Sequence, residues 1–436
     1  MSIVRSFRRF CEDRRGNVAV LFGIAIIPVL GCVGAAIDYS LYNQRRAKIT
    51  TALDAAVLMA TSKTEASLPK DVVKVHATDM FNAQIATYGV TVSAVNFDIN
   101  DTTSGRTVIG TASSTMQTNF MQIMGFSSLN VAGSATAKVG LPPYIDFYLL
   151  LDNSPSMGVA ATPKDVDTMV SKTPDQCAFA CHNVYKSSNH SRLDTNTYYD
   201  IAKAAGVTMR IDVVRQATQN LMDTATATAT LPNQFRMAIY TLGSSCTSAG
   251  LTTIAPLTSN LSSAKTSANG IDLMTVPWQG YNNDQCTDFD GVFAGMNAAI
   301  PTSGTGGSTD PQKFVFFVSD GVADAYYPSS CQQPTTGGRC QEPLNIDNCT
   351  AIKNRGIKIA VLYTTYLQLP TNNWYMSWID PFNQGPFGPS PNSQIAQNMQ
   401  ACASDGFYFE VSPTQGISDA MNALFQRAVT QAHLTN

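Results

Sequence analysis

Apolar residues run from Val18 to Ile37 without a single charge, twenty positions in all, enough for a helix to cross a bilayer core. Pro28 falls inside this run, where a membrane helix tolerates it as a kink. Beyond Asp38, the residues Tyr39, Tyr42, Ala47, Ile49, Leu53, Ala56, Val57 and Ala60 recur at roughly helical spacing. Neither Gly nor Pro interrupts them before Pro69. One continuous helix is therefore predicted from the span outward for roughly 30 residues more.

Residues 64–140 follow a different rhythm. The pattern predicts a helix over 69–88, strands over 91–99 and 106–115, a short helix over 116–124 and a strand over 130–139. The polar run Asn100-Asp-Thr-Thr-Ser-Gly105 marks a hairpin between the first two strands. This is a small α+β unit without a chemistry-bearing motif, and it reads as a spacer or packing domain.

From Pro142 onward, short continuous apolar runs alternate with helical patterns. Strands are predicted over 145–151, 235–242, 313–319, 357–362 and 406–411. Helices are predicted over 209–224, 290–300, 345–355, 392–403 and 416–433. Strands that are apolar on both faces and alternate with helices indicate an α/β fold with a covered parallel sheet. Ligands of such sheets bind at the carboxyl ends of the strands, where Asp152 and Asp320 stand. Two stretches, 160–205 and 365–391, read as insertions. The second holds Trp374, Tyr375 and Trp378, as a recognition patch or as packing for the loop.

Composition narrows the setting. A chain of 436 residues implies two or three domains. A net charge of −3 and a pI near 5.8 leave no electrostatic footprint for nucleic acid. Charged residues are only 14% and cysteines number ten, which points to an extracytoplasmic protein. Arg5, Arg8, Arg9, Arg14 and Arg15 precede the apolar span, against Arg45, Arg46 and Lys48 after it. The positive-inside rule puts the amino terminus in the cytoplasm and the rest outside. A cleaved signal peptide, with Val33-Gly-Ala35 as its site, is an alternative, as is lipoprotein-type processing at Val29-Leu-Gly-Cys32.

The densest chemistry lies in Tyr144-Ile-Asp-Phe-Tyr-Leu-Leu-Leu-Asp-Asn-Ser-Pro-Ser-Met-Gly158. A buried strand delivers Asp152, Ser154 and Ser156 into a tight turn. One carboxylate and two hydroxyls aimed at a point suit a hard divalent cation, Mg²⁺ above all, with Ca²⁺ or Mn²⁺ as alternatives. Ser154 has no Gly-x-Ser-x-Gly frame and no nearby His, which argues against serine hydrolysis. Gly304-Thr-Gly-Gly-Ser-Thr lacks the Lys of a phosphate loop and reads as a linker. The chain is read as non-enzymatic.

Two resemblances sharpen this reading. Arg14-Arg-Gly-Asn-Val-Ala-Val-Leu-Phe22, Gly34-Ala-Ala-Ile-Asp-Tyr39 and Lys48-Ile-Thr-Thr-Ala-Leu-Asp-Ala-Ala-Val-Leu58 resemble the amino-terminal segment of TadE/TadG-like Flp pilus-assembly proteins. In the processed pseudopilins of that system a Glu stands five residues after the cleaved Gly; counted from Gly16, this chain has Leu21 there. The departure favours the retained, TadG-like branch. Asp152-x-Ser154-x-Ser156 together with Phe314-Val-Phe-Phe-Val-Ser-Asp-Gly321 looks like a von Willebrand factor A domain and its metal-ion-dependent adhesion site. That resemblance implies a Rossmann-like doubly wound sheet, with Asp320 as a further ligand and Thr287 in the Thr role, although Asp288 and Asp290 lie beside it.

Three regions result: an anchor and pilin-like stalk at 1–62, the α+β unit at 64–140 and an A-type domain at 142–436. The resemblances imply a single-pass bacterial inner-membrane protein, periplasmic beyond the span, in Flp/Tad pilus assembly and tight adherence. Its partners would be pilus or secretion-system proteins, or surface ligands offering a carboxylate, with no nucleic acid or small-molecule substrate. Alternatives are a structural minor pilin-like subunit without metal-dependent binding and an A-domain subunit of a chelatase-type assembly. Eight cysteines follow Pro142. Local pairing suggests Cys177–Cys181, Cys246–Cys286 and Cys331–Cys340, leaving Cys349–Cys402, among many possible connectivities. Cys177, Cys181, His182 and His190 could alternatively bind zinc.

Overall fold

The computed structural model describes residues 17–66, 68–102, 105–140, 142–180, 182–278, 281, 286–325, 331, 340–365, 373–383, 393–411 and 416–434. They form two compact units that divide between Leu141 and Pro142.

The first unit is organised by one helix, α1, Asn17–Ala60. It runs unbroken through Pro28, as the apolar pattern predicts. Its amino-terminal half presents large apolar side chains, among them Val18, Phe22, Ile27 and Leu30, to the surroundings. It is the one helix among the described residues long and apolar enough to cross a membrane. Farther along, Ile49, Leu53, Ala56, Val57 and Ala60 turn inward. They pack with Val73, Ala77, Phe81 and Ile85 of α2, Lys70–Thr87, and with a three-stranded antiparallel sheet. The strands are β1 (Ala94–Thr102), β2 (Gly105–Gln117) and β3 (Ser128–Val139), in that order. The stalk end of α1 and residues 70–139 thus share one core, where the sequence suggested two regions. Arg106 ties the β1–β2 hairpin down: it is buried, pairs with Asp101, and donates to the carbonyls of Glu65 and Leu68.

The second unit is built on a six-stranded sheet. Its strands are β4 (Ile145–Leu151), β5 (Phe235–Gly243), β6 (Ala249–Thr258), β7 (Gln312–Ser319), β10 (Lys358–Thr364) and β11 (Tyr408–Val411), arranged β11-β10-β7-β4-β5-β6. All neighbours are parallel except the edge pair of β5 and β6. A separate hairpin, β8 (Val322–Ala325) with β9 (Cys340–Pro343), follows β7.

Every residue of β4 and β7 is buried, and the pleat sends alternate side chains to opposite faces. Phe147, Leu149 and Leu151 pack with α3 (Arg210–Thr228), α4 (Leu261–Ser267) and α8 (Ile417–Leu434). Tyr148 and Leu150 pack with α5 (Phe289–Ala299), α6 (Ile346–Lys353) and α7 (Gln394–Cys402). This is the mixed α/β arrangement that the continuous apolar strands imply.

The sequence reading missed β6, α4 and the β8–β9 hairpin. β6 is an edge strand rich in Thr whose burial pattern is mostly intermediate, so it carries no apolar run to announce it. The stretch 160–205 contains helices at Pro163–Lys172 and Tyr198–Ala204, each opened by a threonine cap, Thr162 and Thr197. The aromatic residues of 365–391 fall differently from a surface patch. Tyr375 is buried, with its hydroxyl accepting from Asn383 Nδ2, and Trp374 stands edge-on to Phe179.

Three disulfides match the local pairing: Cys246–Cys286, Cys331–Cys340 and Cys349–Cys402, with Cα separations of 4.8, 5.7 and 5.1 Å. Cys181 lies outside the described residues, and the proposed Cys177–Cys181 pair with it. His182 stacks on Tyr199 and His190 on Tyr185. Among the described residues neither joins Cys177 in a cluster of metal ligands.

Phe147 is the hub of the larger core, within 6.0 Å, centroid to centroid, of Phe235, Phe314, Phe316 and Phe425. Phe147→Ala should lower the stability of this unit by about 3–5 kcal/mol, read from urea unfolding of the purified chain followed by near-ultraviolet circular dichroism. A loss under about 1 kcal/mol would show that the core collapses around the hole.

Candidate metal-binding loop cluster

β4 and β7 are hydrogen-bonded neighbours, with Leu151 opposite Val318. Their carboxyl ends therefore release the chain side by side, and the Asp152 amide still donates to the Val318 carbonyl at 2.9 Å. From there the β4 chain enters a short 3₁₀ turn, Pro155–Gly158, in which Pro155 sets the backbone. Asp152, Ser154 and Asp320 are fully buried, and Ser156 is half-buried at the mouth.

The hydrogen bonds converge. The Ser154 amide and hydroxyl both donate to Asp152 Oδ1, at 2.9 and 2.6 Å. The Ser154 and Ser156 hydroxyls lie 3.0 Å apart. Ser319 donates to Asp152 Oδ2 at 2.6 Å and accepts from the Gly321 amide at 2.9 Å. Asn153 staples the turn to its surroundings, donating to the Gly243 and Asp272 carbonyls and accepting from the Leu242 amide. Gly321 sits at φ +78°, a left-handed conformation that a Cβ would strain, against the side chains of Ile395 and Met399.

Burial raises the pKa of Asp152, against the pull of its Ser154 and Ser319 hydrogen bonds. Burial also raises that of Asp320, and the neighbouring Asp152 charge raises it further, against the pull of Arg210. Two interacting buried carboxylates need a neutralising cation to ionise together, or one of them keeps its proton. Arg210, the first residue of α3 and itself fully buried, supplies part of the answer. It lies 3.5 Å from Asp320 Oδ2 and donates to the Thr365 carbonyl at 2.8 Å. The Ser156 hydroxyl and the Val322 amide also favour the charged form of Asp320, although its Oδ1 accepts no hydrogen bond of normal geometry among the described residues.

A divalent cation fits this donor set. It is made only of oxygens and carries two buried carboxylates, the donor chemistry that hard divalent cations take. Thr287 exchanges backbone hydrogen bonds with Asp324, four residues after Asp320, at 2.9 and 3.1 Å. The Cys246–Cys286 disulfide ties its neighbour to the segment after β5. Its acidic neighbours are otherwise employed: Asp288 caps α5 through the Gly291 amide, and Asp290 accepts from Asn348.

Arg210, Ser319 and Asn153 escaped the sequence reading. Arg210 did leave a signal, since it sits one turn before Val214 on the apolar stripe of α3, where a charge is out of place. Ser319 lies within the Ser-Asp-Gly run but was given no role of its own, and Asn153 left no signal, because Asn is ordinary at strand ends.

No curated protein matches the chain. Several solved structures are similar to it, three of them as follows. The PilB minor pilin from Streptococcus sanguinis has 11% identity and a TM-score of 0.33, over 79% of each chain. The pilus adhesin SpaC from Lactobacillus rhamnosus GG has 13% identity and a TM-score of 0.34, over 78% of this chain and 34% of that one. The vWF domain of the type V pili tip protein Mfa5 from Porphyromonas gingivalis has 10% identity and a TM-score of 0.33, over 68% of this chain and 97% of that one. These are loose superpositions. The amino-terminal region is matched by a family model, putative Flp pilus-assembly TadE/G-like, over residues 16–64. The chain therefore carries a TadE/G-like Flp pilus-assembly segment along its apolar helix.

Proposed function

We propose that this chain is a membrane-anchored, non-enzymatic component of Flp/Tad pilus assembly that binds a protein partner through a divalent cation. The TadE/G-like segment supports the pilus assignment. The orientation follows from the excess of arginines before the span, with the second unit on the periplasmic side. The second unit is read as a von Willebrand factor A-type domain, doubly wound, on the strength of its strand order and its loop cluster.

The observation that carries the binding role is the convergence of Asp152, Ser154, Ser156 and Asp320 at the ends of two neighbouring strands, with both carboxylates buried. With Thr287 they would hold Mg²⁺, or Ca²⁺ or Mn²⁺ in its place. Hydroxyl ligands are neutral, so a cation held by few carboxylates keeps the charge to accept an acidic side chain from a partner. The half-buried Ser156 marks the open side. Pilus or secretion-system proteins are the partners this reading implies.

A second reading has a specific observation behind it. Arg210 already offers a positive charge to Asp320, and a guanidinium can neutralise a buried carboxylate without metal. The second unit would then serve as a structural, pilin-like body.

Two measurements separate these readings. Thermal unfolding of the purified chain should shift upward with added Mg²⁺ or Mn²⁺; at a free concentration about 100 times the Kd the gain is about 2.7 kcal/mol. Asp152→Ala should abolish the shift while leaving the far-ultraviolet spectrum unchanged. A wild-type midpoint identical in EDTA and in saturating cation would dispose of the metal reading.

Arg210→Met supplies the second measurement. In EDTA it should cost about 3–5 kcal/mol, because it strands a buried carboxylate. Under the metal reading, Mg²⁺ restores much of that loss. Under the structural reading the loss is the same with and without the cation.

A further inference from the structure

The turn between β2 and β3 combines features that an ordinary soluble loop lacks. Its sequence is Phe120-Met-Gln-Ile-Met-Gly-Phe126, and no charged residue occurs from Thr107 to Ala137. Phe120, Ile123, Met124 and Phe126 are exposed, Ile123 to 82%. Single exposed apolar residues are unremarkable, but four on one short turn form a patch that calls for a partner.

The turn is pinned to α1. The carboxylate of Asp38, fully buried, accepts from the amides of Asn119, Phe120 and Met121 at 3.0, 2.8 and 2.7 Å. One turn back along α1, Gly34 leaves room for Phe120, whose ring a Cβ there would overlap. A further turn back, Gly31 faces the Met124 sulfur, 3.9 Å from where its Cβ would stand. The contacts thus climb the same helix face into the uncharged span. At 1.5 Å per residue, Gly34 and Gly31 lie roughly 4 and 9 Å inside the end of that span at Ile37.

The backbone of the turn is also prepared for a medium without water. Besides the three amides held by Asp38, those of Ile123, Gly125 and Phe126 donate to the carbonyls of Phe120, Gln122 and Met121, and Thr118 donates to Ser127. Irregular chain survives beside lipid only where its polar groups are satisfied internally.

We propose that Phe120–Phe126 is a second membrane element, seated in the leaflet nearest Asp38. Phe120, Ile123, Met124 and Phe126 lie among the lipid acyl chains, and Asp38 fixes their depth. This rests on α1 being a membrane anchor and is independent of any metal. A helix held by its own span and by a wedge beside it resists tilting and rotation, which a single span does not.

Full-length chain in nanodiscs of phosphatidylcholine with brominated acyl chains provides the test. Ile123→Trp places a reporter on the turn, Ile24→Trp one within the span, and Val72→Trp one on the exposed side of α2; the three native tryptophans are subtracted as background. The expected result is a blue-shifted emission from Trp at 123 that brominated lipid quenches, as it quenches Trp at 24, with Trp at 72 unquenched. Quenching at 24 but not at 123 overturns the proposal and leaves the anchor standing. Quenching at neither site overturns the anchor itself. A blue-shifted reporter at 123 that escapes brominated lipid and responds to protein density shows a second copy covering the turn, which also overturns the proposal.

Discussion

Two carboxylates buried at the ends of adjacent parallel strands set the terms for the larger unit. Asp152 and Asp320 stand together because β4 and β7 are hydrogen-bonded neighbours, and they stand in a dry place because both strands are covered on each face. Like charges in such a place repel strongly. The surroundings answer with Ser154 and Ser319 on Asp152 and with the guanidinium of Arg210 beside Asp320. The Ser156 hydroxyl and the Val322 amide favour the charged form of Asp320 as well, so the cluster spends several groups on holding two carboxylates out of water.

The smaller unit solves a related problem with different means. There the buried charge is Asp38 on α1. Its carboxylate is spent on three backbone amides of one turn, so a charge at the end of an apolar span becomes a fastening. The same helix is apolar all round near its start and one-sided after Ile49, where it joins a core with α2 and the sheet. A change of surroundings along one continuous helix is written in its pattern of exposure.

Much of this was legible beforehand. The span, the long helix and the parallel strands depend on local spacing, and their predicted boundaries for β4, β5 and β7 agree with the structure to within a residue. Asp-x-Ser-x-Ser at a strand end was visible for the same reason: neighbours in sequence are neighbours in a tight turn. Local spacing also sufficed for the Cys331–Cys340 pair, nine residues apart. The edge strand β6 was invisible because an exposed Thr-rich edge has no apolar run.

The chain by itself thus determined which segments are apolar, which periods they follow and which oxygen-bearing residues share a turn, because these are properties of neighbouring positions. Strand order was decided only by the tertiary structure, which placed β7 beside β4 across more than 150 intervening residues. That order brought Asp320 to Asp152. It also put Ser319 on the Asp152 carboxylate, and folding of α3 against the sheet delivered Arg210 to the same cluster. Burial then gave these meetings their consequences, since a carboxylate that is unexceptional in water requires a donor, a proton or a cation once water has gone.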